Sequence, residues 1–351
     1  MNGELREIVA EHGRKYPRME PTDAVKLVYQ HVLGGGHLVK EEAGSLARLR
    51  AELAAVPQDG RPLGEPLGNG LARMHLQGLE AAGLSPETAN RLFFLSAQTP
   101  MGSREQLLAG LETLRAVCAA GTLPFSPEAL EAYLAAYAAQ DYPPVSHSPA
   151  YRAAYAPAYR VIRAEYLALL PVLAAVDRVL ARKGQARVAI DGRAAAGKTT
   201  LAALLAPVYG ANLFHMDDFF LRDEQRTPER LAEPGGNVDR ERFAAEVLAG
   251  LDSGEPFCYR PFDCSVRRLA APVPVEPRPV TVVEGSYSLH PALREGHDVR
   301  VFVDISPEEQ ARRILLRNGP AMQRRFLEEW IPLEERYFDT FAIREEAKIL
   351  L

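Results

Sequence analysis

The sequence predicts a doubly wound α/β domain with a mainly parallel sheet, preceded by an all-α N-terminal domain, and three observations carry that reading. From the start to about Arg160, apolar residues recur at spacings of three and four, Ala is abundant, and Gly/Pro clusters punctuate the segments. After Lys183-Gly184 the texture changes to short β-branched runs alternating with helical patterns, the signature of parallel strands joined by crossover helices. A glycine-rich loop stands at the first strand-to-helix turn of that second half. The expected boundaries are an α-helical domain over 1–160, a connecting helix over 161–183 and the α/β domain over 184–351.

Taken in order, the first clear helix should begin at Thr22, a good N-cap after Pro21. It carries Val25, Val28, Tyr29 and Val32, and should stop at Gly34-Gly35-Gly36. Further helices fit Glu41 to Leu53, Arg104 to Ala119 and Pro127 to Ala139, with no clear strand among them. A long helix is expected from Ala158 to Ala181, bent or broken at Pro171. In the second half, strands are expected at Arg187–Ile190, Asn212–His215, Val280–Val283 and Val299–Val303, with a helix from Lys198. Ala271 to Pro279 is a Pro-rich connector that should run extended.

Composition narrows the partners. With 351 residues, 47% hydrophobic and 25% charged, the chain has ample material for a globular core. A net charge of -5 removes the electrostatic footprint of a dedicated nucleic-acid binder. Uncharged apolar stretches such as Tyr166 to Val176 are too short to cross a bilayer, and the opening residues lack an apolar h-region. Cys118, Cys258 and Cys264 have no CxxC spacing, which argues against a disulfide framework or a zinc ribbon. A cytoplasmic protein is expected, with no nucleic-acid or membrane partner and with homo-oligomerisation left open.

Gly192-Arg193-Ala194-Ala195-Ala196-Gly197-Lys198-Thr199 matches the P-loop pattern, directly after the strand Val188-Ala189-Ile190 and before an apolar helix. Gly192, Ala195, Ala196, Gly197, Lys198, Thr199 and Thr200 are therefore the candidate nucleotide-binding residues. The glycines let consecutive backbone N–H groups curl around phosphate oxygens at a helix N-terminus. Lys198 adds a full positive charge, and the Thr199 hydroxyl can ligate Mg2+.

The acidic residues downstream decide what such a loop does. Asp217, in Phe214-His215-Met216-Asp217-Asp218-Phe219-Phe220, follows a strand and so stands on the rim where doubly wound sheets bind ligands. One carboxylate there can serve as base for an acceptor hydroxyl. Because neighbours at a strand end point to opposite sides, only one of Asp217 and Asp218 should face the nucleotide. Glu284 ends the strand Val280-Thr281-Val282-Val283, where an acid can hold Mg2+ or its water shell.

From Arg187 to about Phe341 the order of these motifs resembles the uridine kinase, ribosylnicotinamide kinase and phosphoribulokinase family of P-loop small-molecule kinases. The shared order is P-loop, strand-Asp-Asp-Phe-Phe, a Tyr/Pro-containing segment, strand-Glu-Gly and an Arg-rich helix. The resemblance implies an ATP-dependent, Mg2+-assisted transfer to a substrate hydroxyl, most simply that of a nucleoside, with Asp217 as general base and Glu284 assisting Mg2+. In Ile305 to Asn318, Arg313 and Arg317 match arginines that face the ATP phosphates, Arg317 one position further along than in uridine kinases; Arg324 and Arg325 are further candidates. Arginine suits that task because its charge is permanent and its planar fork binds two oxygens. Asp239, Tyr259, Arg260 and Arg267 occupy the positions where the family grips its acceptor. Cys264 stands where uridine kinases have a second Tyr, and Val266-Arg267-Arg268 offers no His. Other hydroxylated acceptors, such as a sugar phosphate or a pantothenate-like acid, and a regulatory P-loop ATPase are the alternatives.

The first 160 residues hold no motif of nameable chemistry. His37, His75 and His147 could converge as metal ligands or phosphate contacts, but histidines bonded in turns and tyrosines packed at helical spacing explain the same residues more simply. That module could regulate the catalytic half, mediate self-association or shape the acceptor pocket.

Overall fold

The computed structural model describes residues 2–36, 39, 41–99 and 102–351. The chain divides into two compact units, Met1–Leu170 and Pro171–Leu351.

The first unit is built on the helices Asn2–Lys15, Pro21–Leu33, Glu42–Leu53, Pro86–Ala97, Arg104–Ala119, Pro127–Ala139 and Pro149–Tyr155. Their apolar stripes meet in a core that includes Val9, Val25, Val28, Val32, Leu107, Leu111 and Leu114. The cap of the second helix differs from the expected one: Pro21 is already helical, and Asp23 closes the turn by accepting from the Glu20 N–H at 3.0 Å. Thr22 instead donates to the Ser146 carbonyl.

An all-α first domain is corrected by three strands, β1 (Gly64–Gly68), β2 (Leu71–His75) and β3 (Tyr159–Arg163), which form an antiparallel sheet in the order β1-β2-β3. Asn69 and Gly70 take φ of 52° and 71° in the turn joining β1 to β2, the residue pair such hairpins favour. β2 is buried on both faces, so it lacks the alternation that marks an exposed strand. β3 arrives from far along the chain. It occupies the start of the expected Ala158–Ala181 helix, which instead runs from Glu165 to Lys183 with Pro171 inside it.

The second unit carries a five-stranded sheet of β4 (Ala186–Gly192), β5 (Asn212–His215), β6 (Val280–Glu284), β7 (Val299–Val303) and β8 (Ile349–Leu350). The order is β8-β7-β4-β6-β5, and every neighbouring pair is parallel. Four of these strands lie where the sequence predicts them; β8 is too short to show a pattern. The helices Lys198–Tyr209, Pro307–Arg325 and Ile331–Phe341 accompany the sheet, and Phe214, Phe219, Phe243, Val283, Phe302, Tyr337 and Phe338 fill its core. This is a doubly wound α/β fold, a class in which ligands bind at the carboxyl-terminal strand ends. Among the described residues, no helix is long and apolar enough to cross a membrane.

Candidate active site

Parallel register assembles the site. Glu284 lies beside Ile190 of β4 on one side and beside His215 of β5 on the other, while Val303 of β7 lies beside Gly192. The P-loop, Glu284 and the Met216–Phe219 turn therefore leave the sheet at one edge. A cleft of about 1200 Å3 opens there, lined among others by Lys198, Thr199, Asp217, Glu284, Arg313 and Arg317.

Gly192 has a φ of 137°, and a Cβ on it would stand 2.1 Å from the Val303 carbonyl oxygen, so the loop can only begin with glycine. Beneath it, the fully buried Asp191 accepts from the N–H groups of Gly192 at 2.7 Å, Tyr287 at 3.2 Å and Leu289 at 2.9 Å, and from the Tyr337 hydroxyl at 2.9 Å. Burial raises its carboxyl pKa against those donors. Arg193 fastens the other side of the loop, bonding Glu335 at 2.8 Å and Asp304 at 3.1 Å. The loop is thus held in shape by its surroundings before any phosphate arrives.

Lys198 Nζ donates to the carbonyls of Gly192 at 2.6 Å and Arg193 at 3.0 Å. The Thr199 hydroxyl stands 3.2 Å from each Glu284 oxygen, and His215 Nδ1 lies 2.6 Å from Glu284 Oε1. Arg313 reaches the loop through the Ala195 carbonyl at 3.3 Å, and Arg317 joins it in the cleft wall. Arg325 also lines the cleft, with its guanidinium 4.9 Å over the Trp330 ring; Arg324 does not line it. Gly319 breaks this Arg-rich helix with a φ of 78°, so the residues after it start a new direction.

Asp217 and Asp218 sit in a 3-10 turn, so the turn rather than strand pleating separates their directions. Asp217 lines the cleft, where the surrounding protein and the Glu284 charge raise its pKa. Asp218 faces away and accepts from the Tyr259 hydroxyl at 3.2 Å. Its pKa is also raised, by burial.

Of the expected acceptor contacts, Arg267 alone lines the cleft, ion-paired to Asp223. Asp239 is buried as a helix cap, accepting from the Arg242 N–H at 3.1 Å and Gln225 Nε2 at 2.9 Å. Tyr259 is occupied by Asp218, and Arg260 turns back to the carbonyls of Leu269 and Ala270. Gly192 and Ala196 shape the loop without lining the cleft, whereas Ala195, Gly197 and Thr200 line it.

The sequence reading missed four residues. Asp191 and His215 are polar groups at the ends of apolar strands, which is a usable signal. Glu334 accepts from the Ala194 N–H at 3.0 Å and from the Ser286 hydroxyl at 2.6 Å, and burial raises its pKa; lying on a distant helix, it has no local signature. Arg226 lines the cleft near Cys264 and Arg267 from a loop of ordinary composition. In the first unit, His75 and His147 both set ring edges against Tyr159, at 6.1 and 5.8 Å, while His37 lies outside the described residues. Among the described residues, no group of three or more His, Cys, Asp or Glu side chains is placed to hold a metal ion.

No protein-family model and no curated protein sequence matches the chain. Two of the solved structures to which the chain is similar each match about half of it. One is a possible uridine kinase from Bacillus stearothermophilus, with 20% identity over 53% of this chain and 96% of that one and a TM-score of 0.40. The other is a candidate fructose transport system kinase from Silicibacter sp. TM1040, with 23% identity over 48% of this chain and 91% of that one and a TM-score of 0.41.

Proposed function

We propose that the chain is an ATP-dependent small-molecule kinase that transfers the γ-phosphoryl group of ATP to a substrate hydroxyl, with a nucleoside as the acceptor. The observation that carries this reading is that Asp217, the one free-facing carboxylate of the Asp pair, opens into the same cleft as Lys198, Thr199, Glu284, Arg313 and Arg317. Asp217 takes the proton of the acceptor hydroxyl as its oxygen bonds to the γ-phosphorus and the bond to the departing ADP oxygen breaks. Its raised pKa keeps it basic enough to hold that proton. Lys198, Arg313 and Arg317 hold the negative charge on the phosphates, and the P-loop N–H groups orient them.

A hydroxyl and a carboxylate at Thr199 and Glu284 form a hard oxygen donor set, which fits Mg2+. These two residues would hold the ion, whose role when bound is to neutralise charge across the phosphate oxygens. Phe220, Phe262 and Tyr287 supply apolar and aromatic surface for a base, and Asn237 a polar contact. Arg226 and Arg267 favour a second reading, an acceptor that itself carries a negative charge.

A mass-spectrometric screen of nucleosides, sugars and sugar phosphates with Mg2+ and ATP tests the proposal. A nucleoside that gains one phosphate supports it; gain only on a charged acceptor supports the second reading. ATP hydrolysis at a rate indifferent to every acceptor overturns both in favour of an ATPase switch.

A further inference from the structure

Wholly within the first unit lies a cavity of about 400 Å3, inside the range of roughly 300–1,000 Å3 that small-molecule sites occupy. Four cationic side chains line it, Lys26, Arg48, Arg152 and Arg160, against a single carboxylate, Glu52. They converge from three helices and from β3, so no local run of basic residues accounts for the cluster. Glu52 is already engaged by Arg160 at 2.8 Å. Among the described residues, Lys26 Nζ donates only to a neutral group, the Val145 carbonyl at 2.8 Å. The Arg152 side chain makes no ion pair among the described residues.

The polar wall behind them adds one further acid, Asp23, which is already hydrogen-bonded. Asp23, whose charge acts on Lys26, accepts from His147 Nδ1 at 2.7 Å and from the Ser148 hydroxyl at 2.7 Å. His147 Nε2 then lies 2.6 Å from the Tyr159 hydroxyl, whose oxygen accepts from Gln30 Nε2 at 3.2 Å. Gln30 Oε1 in turn accepts from Arg73 Nε and Nη2 at 3.1 and 2.9 Å. A continuous hydrogen-bonded chain thus runs from Arg73 to Asp23, and burial, which lowers the His147 pKa, favours its neutral ring. Burial, with Arg73 and Arg152 adding to it, also pushes the Lys26 ammonium down to about 8, and Asp23 alone opposes them. Like charges gathered in a concave, half-buried site are stabilised by an anion that enters it.

We infer that this cavity is a second ligand site, which binds a phosphomonoester of a small metabolite through Lys26, Arg152 and Arg160. A phosphomonoester carries nearly two negative charges and three acceptor oxygens at neutral pH, matching a cluster with several cations and one satisfied carboxylate. Guanidinium forks bind such oxygens in pairs. Phe93 and Val161 leave an apolar flank for a compact organic body. The site goes beyond phosphoryl transfer in the second unit and does not depend on it.

The test is calorimetric titration of the full chain, first saturated with Mg2+ and a non-hydrolysable ATP analogue so that the P-loop is occupied. The probes are ribose 5-phosphate and glycerol 3-phosphate, with ribose, glycerol and citrate as controls. At least one phosphate should bind with a Kd below about 1 mM, and the uncharged controls and citrate should not. Lys26→Met and Arg152→Ala should each weaken that binding by about tenfold or more. Arg152 is exposed, so its variant keeps the test valid even if Lys26→Met fails to fold. No binding of either phosphate up to about 10 mM would overturn the inference, as would equal binding of citrate or an affinity unchanged in Arg152→Ala.

Discussion

Thr199 Oγ1 stands 3.2 Å from both carboxylate oxygens of Glu284, joining the first turn of the P-loop helix to the end of β6. Strand register sets this contact, because Glu284 is the last residue of a strand paired in step with β4. A neutral amide is a weaker partner for a hard cation, so Glu284→Gln should raise the Mg2+ concentration for half-maximal rate by about tenfold. Rates measured across a Mg2+ series check this. An unchanged Mg2+ dependence at full rate would assign Glu284 a structural role.

Lys198→Ala should lower turnover by about a hundredfold to a thousandfold, the effect of losing one preorganised charge-stabilising donor. The substitution frees the carbonyls of Gly192 and Arg193, which Lys198 now binds. Thermal melting is therefore measured alongside turnover. Near-normal turnover by the folded variant would contradict the assignment.

Asp217→Asn should cut single-turnover phosphorylation by about a hundredfold or more with ATP affinity little changed, because it keeps size and removes basicity. Asp218→Asn should act more mildly, since Asp218 faces Tyr259 and not the cleft. Tyr259→Phe should reproduce the mild effect. Loss of transfer in Asp218→Asn with normal transfer in Asp217→Asn would reverse the roles.

What the sequence made legible follows the range of the forces involved. The P-loop, its helix and four of the sheet strands are local patterns, and Arg104–Ala119 and Pro127–Ala139 appear with their expected ends. Asn69-Gly70 is a local hairpin signal that the all-helical reading of this half passed over; β2 is buried on both faces and β3 arrives from 159–163, so periodicity alone could not show the sheet. Cleft residues depended on which side chains are already satisfied elsewhere. Asp239 and Arg260 carry suitable chemistry yet are consumed by a helix cap and a hairpin, while Arg226 and Glu334 reach the cleft from segments with no motif. Residue type and spacing do not contain that information.

The last prediction concerns the first unit, where Glu65 is buried among cations. Its Oε1 accepts from Lys15 and the Tyr16 hydroxyl; Oε2 lies 3.2 Å from Arg73 Nη1 and 3.4 Å from His12 Nε2. Burial alone would raise its pKa, but the His12 hydrogen bond and the Arg73 charge outweigh it and hold the carboxyl well below the usual range. A folded pKa depressed in this way contributes stability above the unfolded value of about 4.3, and that contribution is lost as pH falls through the folded value. Glu65→Gln leaves Arg73, only 2% exposed, without its buried counter-charge, and should cost about 3–5 kcal/mol at neutral pH. The deficit should shrink as pH falls below about 4, because the unfolded wild-type chain then takes up a proton that folded Glu65 does not. Urea unfolding of the full chain at neutral and acidic pH measures the gap, and amide exchange of peptides over 64–75 assigns it to the first unit. A gap of equal size at both pH values would mean that the Glu65 charge is not what stabilises this cluster.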